Sequence, residues 1–184
     1  MSDLITTFSK VSFNPLNPSK DDILIEDIAH SLSLITRANG HFSEFYSVAQ
    51  HSIACCEEAI ARGYNNKVIL ACLLHDASEA YISDIIRPVK RNLQGYLEVE
   101  KQLQSTIYEI FLGEAINEEE QKLIDSVDDT LLYHEFIHYM DKELPLNKEE
   151  LRSKPEFKFV DFKEIEDKYK NLFYSFQDKI TLKI

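Results

Sequence analysis

Apolar residues recur at helical spacing along most of this chain. Ile25, Ile28, Leu32 and Ile35 stand three and four positions apart behind the acidic residues Asp21 and Asp22. A helix is therefore predicted over "SKDDILIEDIAHSLSLITR", interrupted by Gly40. The next stripe takes in Phe45, Val48, Ala49, Ser52, Ile53 and Cys56, with Ser43 as its N-cap and Gly63 as its stop. Between Val68 and Leu74 the chain is apolar on nearly every side, which places that helix in the middle of a bundle. A short helical or turn connection in "ISDIIRPVKRNLQG" ends near Pro88, and a helix then runs from Tyr96 to its stop at Gly113. Asn117, followed by three glutamates, caps a further long helix. Pro145 and Pro155 break the pattern before a terminal helix over roughly 162–176. Pro15 and Pro18 keep the opening segment extended or turn-like.

These segments predict an all-α bundle of about six or more helices with an irregular N-terminal segment. Its core lies at about 13–140, and the extension 141–184 packs back on it, so that 1–184 is one domain. Composition agrees with that reading. The 184 residues are 44% hydrophobic with only four glycines and five prolines, too little punctuation for a strand-and-turn protein. A net charge of −12 disfavours nucleic-acid polymers and acidic membranes as partners, although it leaves room for a small phosphorylated ligand. Three cysteines, two of them adjacent, suit reduced core residues better than a disulfide framework. The first residues do not read as a signal peptide, and no apolar run approaches the roughly 20 residues that span a bilayer. A cytoplasmic protein is expected.

Two metal sites compete for the six histidines. "LLYHEFIHYM" contains H-E-x-x-H, in which His134 and His138 would bind zinc and Glu135 would act as general base. No histidine follows His138, so a third ligand would have to be an acid such as Glu143 or Glu149. The rival begins at "LLHDASEA", where His75 and Asp76 emerge from the most apolar helix. Ionisable groups in such surroundings need a partner or a metal. His51 and Asp128 would add ligands from two other helices. At about 100° per residue, Leu132, Glu135 and Tyr139 share the Asp128 side of their helix within about 40°, whereas His134 and His138 lie about 80–120° away. Only one of these faces can point into the core.

The second arrangement resembles the HD-domain phosphohydrolases, named for the pair that here is His75 and Asp76. "IEDIAHSLSLITRANGHFSEFYSVAQHS", "LLHDASEAYISDIIRPVK" and "VDDTLLYHEF" are similar to a branch of small bacterial and phage proteins that includes 5'-deoxynucleotidases. Phage deoxyadenosine triphosphate triphosphohydrolases are more distant members. The resemblance implies a single HD domain in which His51, His75, Asp76 and Asp128 hold one divalent metal ion. That ligand set does not distinguish cobalt, manganese, magnesium, zinc, nickel and iron. Glu79 matches the acid that orients or activates the attacking water, Arg37 the arginine that orients phosphate, and Asp84 an acid on the sugar or leaving-group side. Ile85, Ile86 and Arg87 match a segment lying against the nucleotide, and Arg87 and Lys90 are candidates for further phosphate contacts. The chain departs from the pattern at Ala38, where the deoxynucleotidases carry a large aromatic residue that excludes a 2'-hydroxyl; His41 is placed to fill part of that space or touch phosphate.

A 5'-(deoxy)nucleotidase releasing nucleoside and phosphate follows from the resemblance. A deoxynucleoside triphosphate triphosphohydrolase is the alternative reading, and a nucleotide-binding sensor or adaptor the one that is not an enzyme. A homodimer or larger homo-oligomer is expected. The H-E-x-x-H would then be an accident of the helix that carries Asp128.

Overall fold

A computed structural model describes residues 3–146 and 148–181 and is mostly helical. The opening segment forms a small antiparallel hairpin, β1 (Ile5–Thr6) with β2 (Ser12–Phe13), and a single 3-10 turn at Lys20–Asp22 precedes α1 (Ile25–Leu34). Helix α1 is shorter at both ends than the periodicity predicts. Asp21 and Asp22 belong to the 3-10 turn, and Leu24 is extended. At the other end the chain is claimed by a long-range pairing. Val48 N–H donates to the Ile35 carbonyl at 2.9 Å, Arg37 N–H donates to the Tyr46 carbonyl at 2.8 Å, and Thr36 bridges Ser47. Residues bonded in this extended way cannot continue a helix.

This pairing also delays α2 (Val48–Ala61) beyond the predicted cap at Ser43. Ser47 caps it instead, in a capping box in which Gln50 N–H donates to Ser47 Oγ and Ser47 N–H donates to Gln50 Oε1, each at 3.1 Å. Phe42 and Tyr46, left outside the helix, turn inward and form a small aromatic cluster with Tyr139. Gly63, at φ +77°, ends the helix as its left-handed conformation requires.

Helix α3 (Asn66–Leu74) starts at the Asn65 cap and buries every residue from Val68 to Leu74. It is the centre of the bundle. The chain then turns through α4 (Glu79–Ile82), Ser83 at φ +72°, and α5 (Arg87–Lys90), which Pro88 helps to start rather than close. Helix α6 (Gln94–Leu112) stops at Gly113, and α7 (Glu118–Met140) begins with the Asn117–Glu120 capping box. Helix α8 (Phe162–Thr181) lies across α1, α2 and α3. Tyr169 and Phe173 sink from it into the core, and the Tyr169 hydroxyl donates to the Leu73 carbonyl at 2.8 Å. Each such side chain stabilises by about 1.5–3 kcal/mol through burial. Cys55, Cys56 and Cys72 are free and buried. Among the described residues no helix is long and apolar enough to cross a membrane.

Candidate active site

Three helices deliver side chains to one point. The capping box that starts α2 sets His51 one turn in; the end of α3 presents His75 and Asp76; α7 supplies Asp128. His51 Nε2 lies 3.3 Å from His75 Nε2, 3.1 Å from Asp128 Oδ1 and 3.9 Å from Asp76 Oδ2. His75 Nε2 is 3.3 Å from Asp76 Oδ2 and 3.9 Å from Asp128 Oδ1.

The tautomers follow from the remaining ring nitrogens. His75 Nδ1 donates to the Cys72 carbonyl at 2.8 Å, and His51 Nδ1 donates to Glu135 Oε1 at 2.6 Å. Carbonyl and carboxylate oxygens only accept, so both Nε2 atoms turn lone pairs toward each other and toward two carboxylates. The cluster therefore needs positive charge, as protons on the rings or as a divalent ion. Metal–ligand bonds of about 2.0–2.2 Å bring neighbouring donors to about 3.0–3.4 Å apart; the separations of 3.1, 3.3 and 3.3 Å match that spacing, and the two of 3.9 Å are wider.

The electrostatics agree. Burial and the Arg37 charge push the His51 pKa down, but Cys55, Glu135 and Asp128 more than offset them, and it ends well above the ordinary value. At His75 burial is outweighed by Asp76 and Asp128, again raising the pKa. Against their own burial, Asp76 is held below the usual carboxylate range by His75, Arg37 and His51, and Asp128 by His51 and His75. Cys55 borders the same point. Its Sγ lies 3.5 Å from His51 Nε2, and with His51 and His75 it forms a second three-atom grouping within 4.8 Å. Burial pushes its pKa up to about 11, so it is a neutral thiol at pH 7. Asp76 and Asp128, already ionised, are the better partners for a hard divalent ion.

Beside the cluster opens a cavity of about 490 Å³. Asp76 and Asp128 line it, as do Arg37, Arg87, Lys90 and Arg91 together with Glu79 and Asp84. Phe42, Leu132, Phe136, Leu144, Pro145 and Leu146 line it too, and Ala38, Ile85, Ile86 and Pro88 complete it. Arg37, 8% exposed, reaches Asp76 Oδ2 at 3.3 Å and Glu135 Oε2 at 3.4 Å. Arg87 donates to Asp128 Oδ2 at 2.6 Å and to Asp129 at 2.8 Å, leaving Asp128 Oδ1 for the cluster. Glu79 is buried with Oε2 lacking a hydrogen-bond partner among the described residues. Burial, then Asp76 and Asp84, push its pKa well above the ordinary value. A larger cavity of about 620 Å³, between α2 and residues 155–168, is lined by none of the clustered residues.

The other predicted residues lie elsewhere. His41 is exposed and does not line the cavity beside the cluster. His134 Nε2 donates to the Glu149 carbonyl at 2.9 Å, and the His138 ring packs 5.3 Å from that of Phe157, so neither faces the cluster. Glu135, from the same motif, does. The residues missed from sequence are the apolar wall: Phe42 and Leu144 to Leu146 come from segments flanking the helices, where periodicity is silent. The Ser47-x-x-Gln50 pattern would have signalled the true start of α2.

Residues 38–181 match the HD domain family, a match that begins just past Arg37. YfdR, an uncharacterised protein of Escherichia coli K12, is 44% identical over 105 residues, 57% of this chain and 56% of YfdR. An uncharacterised protein of Rhodobacter capsulatus is 42% identical over 99 residues, 50% of each chain. The alignments thus span about half the length of these relatives. HD domains are in general metal-dependent phosphohydrolases, and the convergence of His51, His75, Asp76 and Asp128 has the donor chemistry such a centre requires. With most of its length matched, the chain belongs to the HD-domain family.

Proposed function

We propose that this protein is a 5'-nucleotidase that hydrolyses nucleoside 5'-monophosphates to nucleoside and phosphate. The observation that carries this reading is the two-sided cavity at the cluster. Arg37, Arg87 and Lys90 offer charge for one phosphate, and Phe42, Leu132, Phe136, Leu144 and Leu146 offer apolar surface for a nucleoside. A divalent ion held by His51, His75, Asp76 and Asp128 would supply Lewis acidity and an activated water. Arg37, fixed between two carboxylates, aligns the phosphoryl group. Glu79 Oε2 accepts from or donates to the attacking water and orients it. Asp84 faces the leaving group. Water adds to phosphorus, the P–O5' bond breaks, and the 5'-oxygen leaves with a proton; no covalent enzyme intermediate is needed.

A triphosphate would need more positive charge than the four cations lining the cavity, Arg37, Arg87, Lys90 and Arg91, supply once their carboxylate partners are counted. Arg87 is bound to Asp128 and Asp129, and Lys90 to Glu100 at 2.6 Å. The test is a panel of nucleoside mono- and triphosphates, with manganese-loaded protein and product identification. Inorganic phosphate and nucleoside from monophosphates are the expected products. Release of triphosphate from a deoxynucleoside triphosphate would establish the triphosphohydrolase instead. Tight nucleotide binding with no turnover would establish a sensor.

A further inference from the structure

Glu135 is wholly buried on α7, two turns beyond Asp128, and its two oxygens serve different masters. Oε1 accepts from His51 Nδ1 at 2.6 Å, and Oε2 pairs with Arg37 Nη2 at 3.4 Å. We propose that Glu135 is a positioning residue, fixing one metal-site histidine and the phosphate-side arginine through a single carboxylate. The proposal rests on the roles given above to His51 and Arg37.

A carboxylate removed from water is costly unless charged or polar partners surround it. Glu135 is 0% exposed, and both of its hydrogen-bond partners among the described residues are donors. Each contact has a separate effect. The bond to Nδ1 holds the His51 ring in the tautomer that presents a lone pair at Nε2 and makes that nitrogen more basic. The contact with Arg37 fixes the guanidinium on the side away from Asp76, so that one buried anion and one cluster carboxylate bracket it. Neither effect follows from filling space. Glu58 is the useful contrast: equally buried, it accepts from Arg62, Arg152 and Ser153 and ties the chain after α7 to α2, with no contact to the cluster.

Glu135→Gln preserves the size of the side chain but leaves one oxygen to accept and an amide group that can only donate. His51 and Arg37 are both donors, so one of them must lose its partner. Equilibrium dialysis with Mn²⁺ alone should show a dissociation constant raised about 10- to 100-fold, as for a lost outer-shell carboxylate. At saturating Mn²⁺, the affinity for inorganic phosphate should fall about tenfold, the loss of one charged contact. Glu58→Gln should lower the melting temperature and change neither affinity. Glu135→Asp, which keeps the charge but withdraws it, is measured in parallel in case the amide variant does not fold, and should weaken Mn²⁺ binding too. Unchanged Mn²⁺ and phosphate binding in whichever Glu135 variant folds would overturn the positioning role and leave the nucleotidase reading intact. Failure of the unaltered protein to bind Mn²⁺ would overturn the metal-site reading itself, before any variant is compared.

Discussion

Nε2 of His51 and Nε2 of His75 stand 3.3 Å apart while the Nδ1 atom of each is already committed, to Glu135 and to the Cys72 carbonyl. Two imidazole lone pairs so placed repel unless a cation lies between them, and Asp76 and Asp128 provide the matching negative charge. Asp76→Ala should therefore abolish both metal retention and turnover, because it removes a donor and one of the two carboxylates that bracket Arg37 or balance the rings. Metal content by elemental analysis after gel filtration is the measurement. Stoichiometric retention of metal would place the centre elsewhere.

Glu79 is three residues from Asp76 but makes none of the cluster contacts given for the four donors. Glu79→Ala should keep the metal and lose about 10²–10⁴-fold in kcat, the usual contribution of a positioned acid or base. Steady-state rates with parallel metal analysis check this; metal loss would make Glu79 a ligand instead.

The H-E-x-x-H histidines divide from their glutamate by direction. His134 holds the Glu149 carbonyl and His138 packs on Phe157. The double variant His134→Ala with His138→Ala should keep the metal and most activity and lose about 1 kcal/mol of stability with the His134 hydrogen bond. Loss of the metal would overturn the assignment of faces on α7.

Ala38 lines the cavity at φ +51°, at the position where the resemblance to deoxynucleotidases expects a large aromatic side chain. If the proposed nucleotide sets its sugar against this small side chain, ribo and 2'-deoxy forms of the same nucleoside monophosphate should differ by no more than about tenfold in kcat/KM. A strict preference for deoxyribose would show that another residue excludes the 2'-hydroxyl.

Glu166 on α8 lies against His30 of α1, 3.0 Å away, and Lys163 and Lys170 also contact it. Burial raises its pKa, but the bonds from Lys170, His30 and Lys163 more than reverse this and bring it to about 2. A depressed carboxylate stabilises the fold fully above its unfolded pKa of about 4.3 and loses that contribution as pH falls toward 2. Glu166→Gln should lower the melting temperature by about 4–8 °C at pH 7, equivalent to about 2 kcal/mol for a chain of this length. The gap should close between pH 4 and pH 2. A gap independent of pH would mean that the pair contributes packing rather than charge.

Periodicity made most helices legible because amphipathic spacing is a local property. The stops at Gly63 and Gly113 and the cap at Asn117 could be read directly, since each is a conformational preference of one residue or its immediate neighbours. The same spacing, counted at about 100° per residue, put Glu135 on the Asp128 side of α7 and His134 on another. The places where it misled are those governed by distant partners. Helix α1 stops at Leu34 because residues 35–37 pair with residues 46–48, and Ser43 fails as a cap because Ser47 and Gln50 bind each other more completely.

By itself, then, the sequence determined an all-α chain with a buried α3 and, through its H…HD…D pattern, the donors to look for. Only the tertiary structure decided that the two histidines meet each other and both carboxylates within 3.1–3.9 Å, that Arg37 is held by a backbone pairing beside Asp76, and that Leu144 to Leu146 return to wall the cavity. It also left His41 outside and gave Glu135 two partners at once. The physical reason is range: helix propensity and capping act within a few residues, whereas a buried charge is placed by whatever opposite charges the fold brings to it from segments 39 to 98 residues away.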